Sequence, residues 1–440
     1  MRPISLAAVL AAVLVAVPPV HAQQQRPSLT VLEPSPNDAF LSLGEVAFEG
    51  GRTLRLSVGI GSGAHRRPDD PPDVVRTISD RGPNIACSDA EAVTGVPRDR
   101  LCARARGGRV YPVPSYAPAI FGVRLDEANR TFRVFEAVAL KRPDGTPLDG
   151  LTNPLGARSE TPLDGAGNPI PQDPASLDAE ALARMPDGTW WVGEENAPSL
   201  AQVAADGRVI RRLVPEGTEG EFAGAGYEVR GTLPAILARR ASNRGIESLA
   251  GPPDGSVLYV VMQNPLANPD AAAYRASRNA RILRLDPATG RATGQWVYQL
   301  DDPRSFRLDP SDARNDPRVS EALWLGPDRL LVLERTERTT KLHEVRLGGR
   351  ATDILGSRWD DAATRPTLEQ SDDLAALGVV PVPKRLVLDG ADHADAIPPK
   401  VEGLALLPGG ALLMVNDDDF GITGERTRIV VARGLDLRLE

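Results

Sequence analysis

The sequence predicts an all-β fold: a single β-propeller of five to six four-stranded blades, closed by an N-terminal strand. Three observations carry this. A small-residue step led by an acid, a Pro/Asp/Gly turn and a hydrophobic run ending on polar or acidic residues recur four times, from Glu180, Glu247, Glu321 and Glu402. These glutamates lie 67, 74 and 81 residues apart, so a repeated supersecondary unit sets the architecture. Each unit resolves into about four short apolar runs joined by Pro, Gly and Asp turns, with no long amphipathic helix between them.

In chain order, Leu29–Leu32 reads as a short strand, and Leu54–Ile60 as another that leads into Gly61-Ser62-Gly63. This triplet stands where the later units carry glutamate. Val74–Ile78 follows a Pro/Asp-rich loop, and Ile120–Leu125 with Phe132–Leu140 reads as a hairpin. Thr146–Ala175 reads as a surface excursion. The second unit runs through Asp178–Glu195, Leu200–Ala204 and Val209–Val214, followed by a short helical patch at Leu233–Arg239. The third runs through Gly245–Gln263, Ala280–Leu285 and Gln295–Leu300. Ser320–Arg335, Lys341–Leu347, Thr352–Leu355 and Lys384–Leu388 make the fourth, with Thr367–Leu377 expected as a helical insertion. The last unit, Lys400–Asp419 with Thr427–Val431, is one strand short. The spare Leu29–Leu32 strand would complete it and remove exposed sheet edges. A pair of β-sandwiches would leave the repeat unexplained.

Arg2, the apolar run Leu6–Val17 and the small-residue site Val20-His21-Ala22 predict a signal peptide over residues 1–22, leaving 23–440 as the propeller domain. That run is too short for a membrane span. A periplasmic or secreted protein is therefore expected. The net charge of −8 is spread along the chain with no basic block, which argues against nucleic acid as a partner. Only four lysines occur, so nearly all the positive charge is arginine. Arginine suits bidentate recognition of phosphate or carboxylate, although genomic GC bias gives the same composition. Cys87 and Cys102 are the only cysteines, and an exported chain would join them in a disulfide; two free thiols or a metal pair are the other readings.

In a propeller the first strand of every blade lines the central channel. Glu180, Glu247, Glu321 and Glu402, at one position of the repeat, would then form a ring of carboxylates around one axis. Such a ring raises its own pKa values unless a cation relieves it, and a hard divalent ion is the natural partner. The plainer alternative is that each glutamate bonds a neighbouring backbone N–H. Strand-end acids form a second set: Asp80, Glu194, Glu195, Glu334 and Asp417–Asp419. Alternation lets only every second one face the same way. Asn416–Gly421 also makes a good polar turn. Arg81 and Arg335 follow acids directly, and would grip a phosphate beside a metal or form ordinary ion pairs. No histidine pair has ligand spacing, and the glycine two residues before Ser62 that a nucleophile elbow needs is missing.

Ile78–Asn84 (ISDRGPN), the Glu180–Glu195 unit, Gly245–Ala250 (GIESLA), Glu321–Arg335 and Val401–Gly421 together resemble the phytase-like family, described as having esterase-like activity. The resemblance runs over roughly residues 29 to 432 and implies a secreted propeller with calcium-dependent phosphoester hydrolysis. On this expectation Glu180, Glu247, Glu321 and Glu402 are catalytic and hold Ca²⁺ or another divalent cation, with Asp80, Glu194, Glu334 and Asp417 as further ligands. Arg81 and Arg335 would orient the substrate phosphate while the cation assists attack of water. Lactone or carboxylic-ester hydrolysis in the same channel is a second expectation, and a non-catalytic binding propeller with structural calcium a third. The expected partner is a small phosphorylated or ester substrate, and the protein is expected to act as a monomer.

Overall fold

A computed structural model describes residues 26–153 and 159–437; the expected signal peptide lies outside the described residues. Five antiparallel four-stranded sheets account for most of the strands. Sheet 1 comprises Gly63–His65, Val74–Ile78, Ala119–Asp126 and Thr131–Ala139. Sheet 2 comprises Ala179–Arg184, Trp190–Glu194, Ser199–Val203 and Val209–Pro215, with Glu228–Leu233 added in parallel at its edge. Sheet 3 contains Ile246–Ala250, Leu258–Met262, Asn279–Asp286 and Arg291–Gln299, and sheet 4 contains Arg318–Gly326, Arg329–Arg335, Thr340–Arg346 and Lys384–Asp389. In sheet 5, Val401–Leu406, Leu412–Asn416 and Ile429–Arg433 are completed by Ser28–Pro34.

The first strands pack on one another in a closed cycle through sheets 1, 2, 3, 4 and 5 and back to 1, which makes the fold a propeller. Ser28–Pro34 closes the ring as the sequence predicts. It runs antiparallel to Ile429–Arg433, with Leu32 opposite Ile429, and its end pairs in parallel with Thr131–Phe132 of sheet 1.

Every adjacent pair of sheets encloses its own hydrophobic cluster, so the inner strands are buried on both faces. That is why these strands read as continuous apolar runs and not as alternating ones. Trp190 packs between sheets 1 and 2, and its neighbour Trp191 between sheets 2 and 3. Leu330 faces sheet 3 and Leu331 faces sheet 5. A fully buried side chain of this size contributes roughly 1.5–3 kcal/mol, and the five interfaces together fix the ring.

Three local expectations change. Leu54–Ile60 supplies no blade strand: Thr53–Ser57 pairs with Ser42–Ala47 in a separate hairpin. Thr352–Leu355 forms no strand, and sheet 4 takes Lys384–Asp389 as its outer strand. The Thr367–Leu377 segment holds one 3₁₀ turn, Leu368–Gln370, capped by Thr367 and Gln370, in place of a helix. The connection between the second and third strands of sheet 1 supplies Ile85–Ala86 and Arg109–Val110, which form a small sheet with Pro162–Leu163 from the segment between sheets 1 and 2. Two short helices pack on it, and the Cys87–Cys102 disulfide forms there.

Candidate functional site

At one end of the ring each second strand runs out beside its first strand. Four first strands carry a one-residue bulge at that place. The register slips between Ala179 and Ala181, Ile246 and Ser248, Val319 and Glu321, and Val401 and Gly403. The extra residues are Glu180, Glu247, Ser320 and Glu402, which bulging turns toward the channel mouth. Residues at or just beyond the ends of the second strands join them: Asp80 and Arg81, Glu195, Gln263, Arg335 and Asp417. All of these but the fully buried Ser320 line a cavity of about 300 Å³ bordered by eight carboxylates and six cationic side chains.

The sequence alignment placed Glu321 in this set, but the bulge puts Ser320 there. One residue further along, Glu321 turns to the other side of the pleat. It is buried, and its carboxylate accepts the backbone N–H of Ala64 at 3.2 Å and of Ala322 at 3.0 Å. For this glutamate the plainer alternative holds.

Glu194 and Glu334 also turn away from the mouth. Glu194 lies between sheets, accepting Arg212 Nη2 at 3.0 Å and Ala197 N at 2.7 Å. Glu334 accepts Tyr298 Oη at 2.7 Å and Lys384 Nζ at 2.9 Å. With Asp301 and His343 it forms one of the carboxylate/histidine groups compact enough for a metal. However, Lys341 and Lys384 lie 2.9 and 2.6 Å from Asp301, and these ammonium groups already supply the positive charge. The alternation recognised along strands sorts these pairs: Glu195 and Arg335 face the mouth, while Glu194 and Glu334 face the sheet interfaces.

A second compact group sits in the cavity wall, where Asp80, Asp178 and Glu180 each offer a carboxylate oxygen within 4.8 Å of the others. Burial, followed by the Asp178 charge, raises Asp80 well above the usual carboxylate range. Glu180 is raised as strongly, by burial and then by Asp80 and Glu247. Burial pushes Asp178 up to about 7, although Arg81 opposes the shift. Arg81 Nη1 stands 3.1 Å from Asp178 Oδ2 without hydrogen-bond alignment, so both Asp178 oxygens are buried with no hydrogen-bond donor. Three crowded carboxylates, with both oxygens of Asp178 lacking a donor, form a hard donor set that fits a divalent cation.

The rest of the cavity is mixed in charge. Glu247 is raised well above its ordinary value by burial and by Glu195 and Glu402, and its Oε2 has no hydrogen-bond partner. Glu195 accepts Gln263 Nε2 at 2.6 Å and Arg244 Nη1 at 3.1 Å. Arg335 is ion-paired with Glu402 and donates through Nε to Ser320 Oγ at 2.9 Å. Lys400 pairs with Asp419 and lies 4.0 Å from Asp417, whose carboxyl is raised by burial and by Asp419. Asp418 turns away to accept Phe420 N and Thr427 N, so this acidic run is a turn that sends only Asp417 and Asp419 into the cavity.

Sequence reasoning missed Asp178, Arg109, Arg244 and Arg318. Asp178 had a signal, since it stands two residues before Glu180 and residues at that spacing share a strand face. The others come from loops and strand starts outside the repeat. Arg109 arrives with the disulfide-linked sheet, donating to Glu160 Oε1 at 2.8 Å and Asn84 Oδ1 at 2.6 Å. Gly245 lets its strand approach Glu195 closely: a Cβ there would stand 2.3 Å from the Glu195 carbonyl oxygen.

Fold and cavity thus define a propeller with a small, densely charged pocket at one mouth of its channel. The chain belongs to the phytase-like family, described as "Esterase-like activity of phytase", which it matches over residues 58–420. It is 26% identical over 236 residues to an "Uncharacterized secreted protein" of Arthroderma benhamiae, a stretch covering 47% of this chain and 46% of that one. The chain therefore spans about half the length of that curated relative.

Among solved structures, it resembles a putative 6-phosphogluconolactonase from Bacteroides uniformis at 12% identity and TM-score 0.33, covering 90% of each chain. The PQQ-bound aldose sugar dehydrogenase of Streptomyces coelicolor matches at 10% identity and TM-score 0.32, over 92% of this chain and 98% of that one. A luciferin-regenerating enzyme matches at 9% identity and TM-score 0.35, over 93% and 97% respectively.

Proposed function

We propose that the protein is an exported hydrolase of phosphate esters that works at this channel mouth with a divalent cation, calcium being the expected one. The single observation that carries the reading is the trio Asp80, Asp178 and Glu180, grouped closely enough to share an ion, with both oxygens of Asp178 buried and without a hydrogen-bond donor. Bound there, a cation would polarise a phosphoryl oxygen and make water more acidic. The protein's own groups would do the rest. Arg81 braces Asp178 and lies 3.4 Å from Glu160, holding the trio in place. Glu247, kept toward its protonated form and carrying a free oxygen, is suited to give a proton to the departing alkoxide. Arg335 orients the phosphate from the opposite wall. Membership of a family described by esterase-like activity supports hydrolysis in general.

Export is supported by the Cys87–Cys102 disulfide and by the secreted relative. Among the described residues, no helix is long and apolar enough to cross a membrane. A second reading, hydrolysis of a lactone or carboxylic ester, is favoured by the pairing of Arg81, Arg109, Arg244, Arg335 and Lys400 with carboxylates, which leaves modest positive potential for a polyanion.

The test is elemental analysis of the purified protein with p-nitrophenyl phosphate, phytate and p-nitrophenyl acetate turnover, before and after EDTA and after calcium is restored. Calcium-restored phosphate release supports the proposal. Acetate-ester turnover alone moves the function to the second reading. Calcium that raises the melting temperature with no turnover leaves a binding propeller.

A further inference from the structure

Five of the six cationic side chains around the cavity are matched by a close carboxylate; Arg318 is not. Arg318 and Arg335 are direct cross-strand partners at the start of sheet 4. Like charges so placed repel. Arg335 is relieved by Glu402, Ser320 Oγ and the Thr336 carbonyl. Arg318 has an ion pair with the outward Glu337, 3.7 Å away and about half exposed, and a weaker influence from Glu402, which is already paired with Arg335; its own side chain is 15% exposed. Its Nε is buried with no acceptor. Burial and then the charges of Arg335 and Arg244 lower its pKa, in keeping with a guanidinium crowded by other cations. A desolvated guanidinium with only one long, outward ion pair costs free energy unless a further anion completes it.

We propose that Arg318, flanked by Arg335 and Arg244, is a receptor for an anionic oxygen group of the ligand, on the wall of the cavity opposite Asp80, Asp178 and Glu180. The substrate class this implies is bifunctional. One group is handled at the carboxylate trio, and a second phosphate or carboxylate docks on Arg318 through charge-assisted hydrogen bonds. Glu337, 3.7 Å from Arg318, competes with that anion. The substrate-class statement rests on the hydrolase reading, whereas the anion receptor does not.

The test is calorimetric titration with inorganic phosphate, and separately with acetate, on wild type, Arg318→Gln, Arg318→Lys and Glu337→Gln, each with and without EDTA. Wild type should bind phosphate in both conditions. Arg318→Gln should weaken binding at least about tenfold, the weight of a charge-assisted hydrogen bond. Arg318→Lys should restore part of it, and Glu337→Gln should tighten it. Because Arg318 lacks a good partner, Arg318→Gln should melt no lower than wild type, unlike loss of a structural ion pair. Acetate binding with the same dependence would make carboxylates ligands as well, and phosphate binding alone would select the phosphoryl group. Phosphate affinity in Arg318→Gln within twofold of wild type, or a lowered melting temperature with Glu337→Gln binding more weakly, overturns the receptor. Arg318-dependent phosphate binding in a protein without turnover keeps the receptor and removes the hydrolase.

Discussion

Glu321 Oε2 accepts the backbone N–H of Ala64 at 3.2 Å, tying the innermost strand of sheet 4 to that of sheet 1 across the channel. Although its place in the repeat looks like that of Glu180, Glu247 and Glu402, its buried carboxylate bonds backbone N–H groups and does not line the cavity. Removing it leaves two buried N–H donors unpaired, those of Ala64 and Ala322.

Glu321→Ala is therefore expected to cost roughly 1–3 kcal/mol in urea unfolding while leaving calcium affinity unchanged. Glu180→Gln should do the reverse, losing calcium affinity without losing stability. A Glu321→Ala protein that unfolds like wild type but no longer binds calcium would mean that the bulge assignment is wrong.

Much of this was legible in the sequence. The repeat gave the four later sheets and their inner strands but not the inner strand of sheet 1, Gly63–His65, and the one-strand deficit of the last unit pointed to Leu29–Leu32 as its closure. Cavity residues were recognisable where they obey the repeat: Glu180, Glu247, Glu402, Asp80 and Asp417. Glu321 misled because a bulge adds one residue without any composition signal, and in VSEAL it is Ser320 that takes the bulged place. Arg109 and Arg318 were invisible because they reach the cavity through tertiary packing of a loop-borne sheet and a strand start, neither of which has a counterpart in the repeat.

The pH dependence follows from Asp178. Its folded pKa, about 7, lies above its ordinary value of 3.8. The stability it contributes is complete at low pH and is lost as pH rises through 7. In EDTA the melting temperature should fall from about pH 4 to about pH 7 and level off above that, calcium should alter that profile, and Asp178→Asn should remove its share. A rise over this interval in EDTA would contradict the assignment.

His65 acts in the opposite sense. Burial, the largest influence on it, lowers it from 6.5 to about 4, so it stays neutral in the folded protein while the unfolded chain protonates. Its contribution is present above pH 6.5 and is lost as pH falls toward 4. The difference in urea midpoint between wild type and His65→Gln should therefore shift against wild type across pH 6.5 to 4. A difference that stays constant across that range would show that His65 titrates normally.

The Cys87–Cys102 bridge spans 15 residues. On the chain-entropy estimate its removal costs about 3 kcal/mol. The linked sheet also carries Arg109, which holds Glu160 beside Arg81. The double serine variant should thus melt lower and also bind calcium more weakly. Lower melting with intact calcium affinity would confine the bridge to a stabilising role.

The most direct test of the central claim is calorimetric calcium titration at pH 8 of wild type, Asp178→Asn and Glu180→Gln, each first stripped with EDTA. The account predicts one calcium per wild-type chain, with affinity lost in both variants while their EDTA melting temperatures match or exceed that of wild type. Wild-type affinity in both variants, or no calcium uptake by the wild-type protein, would contradict it.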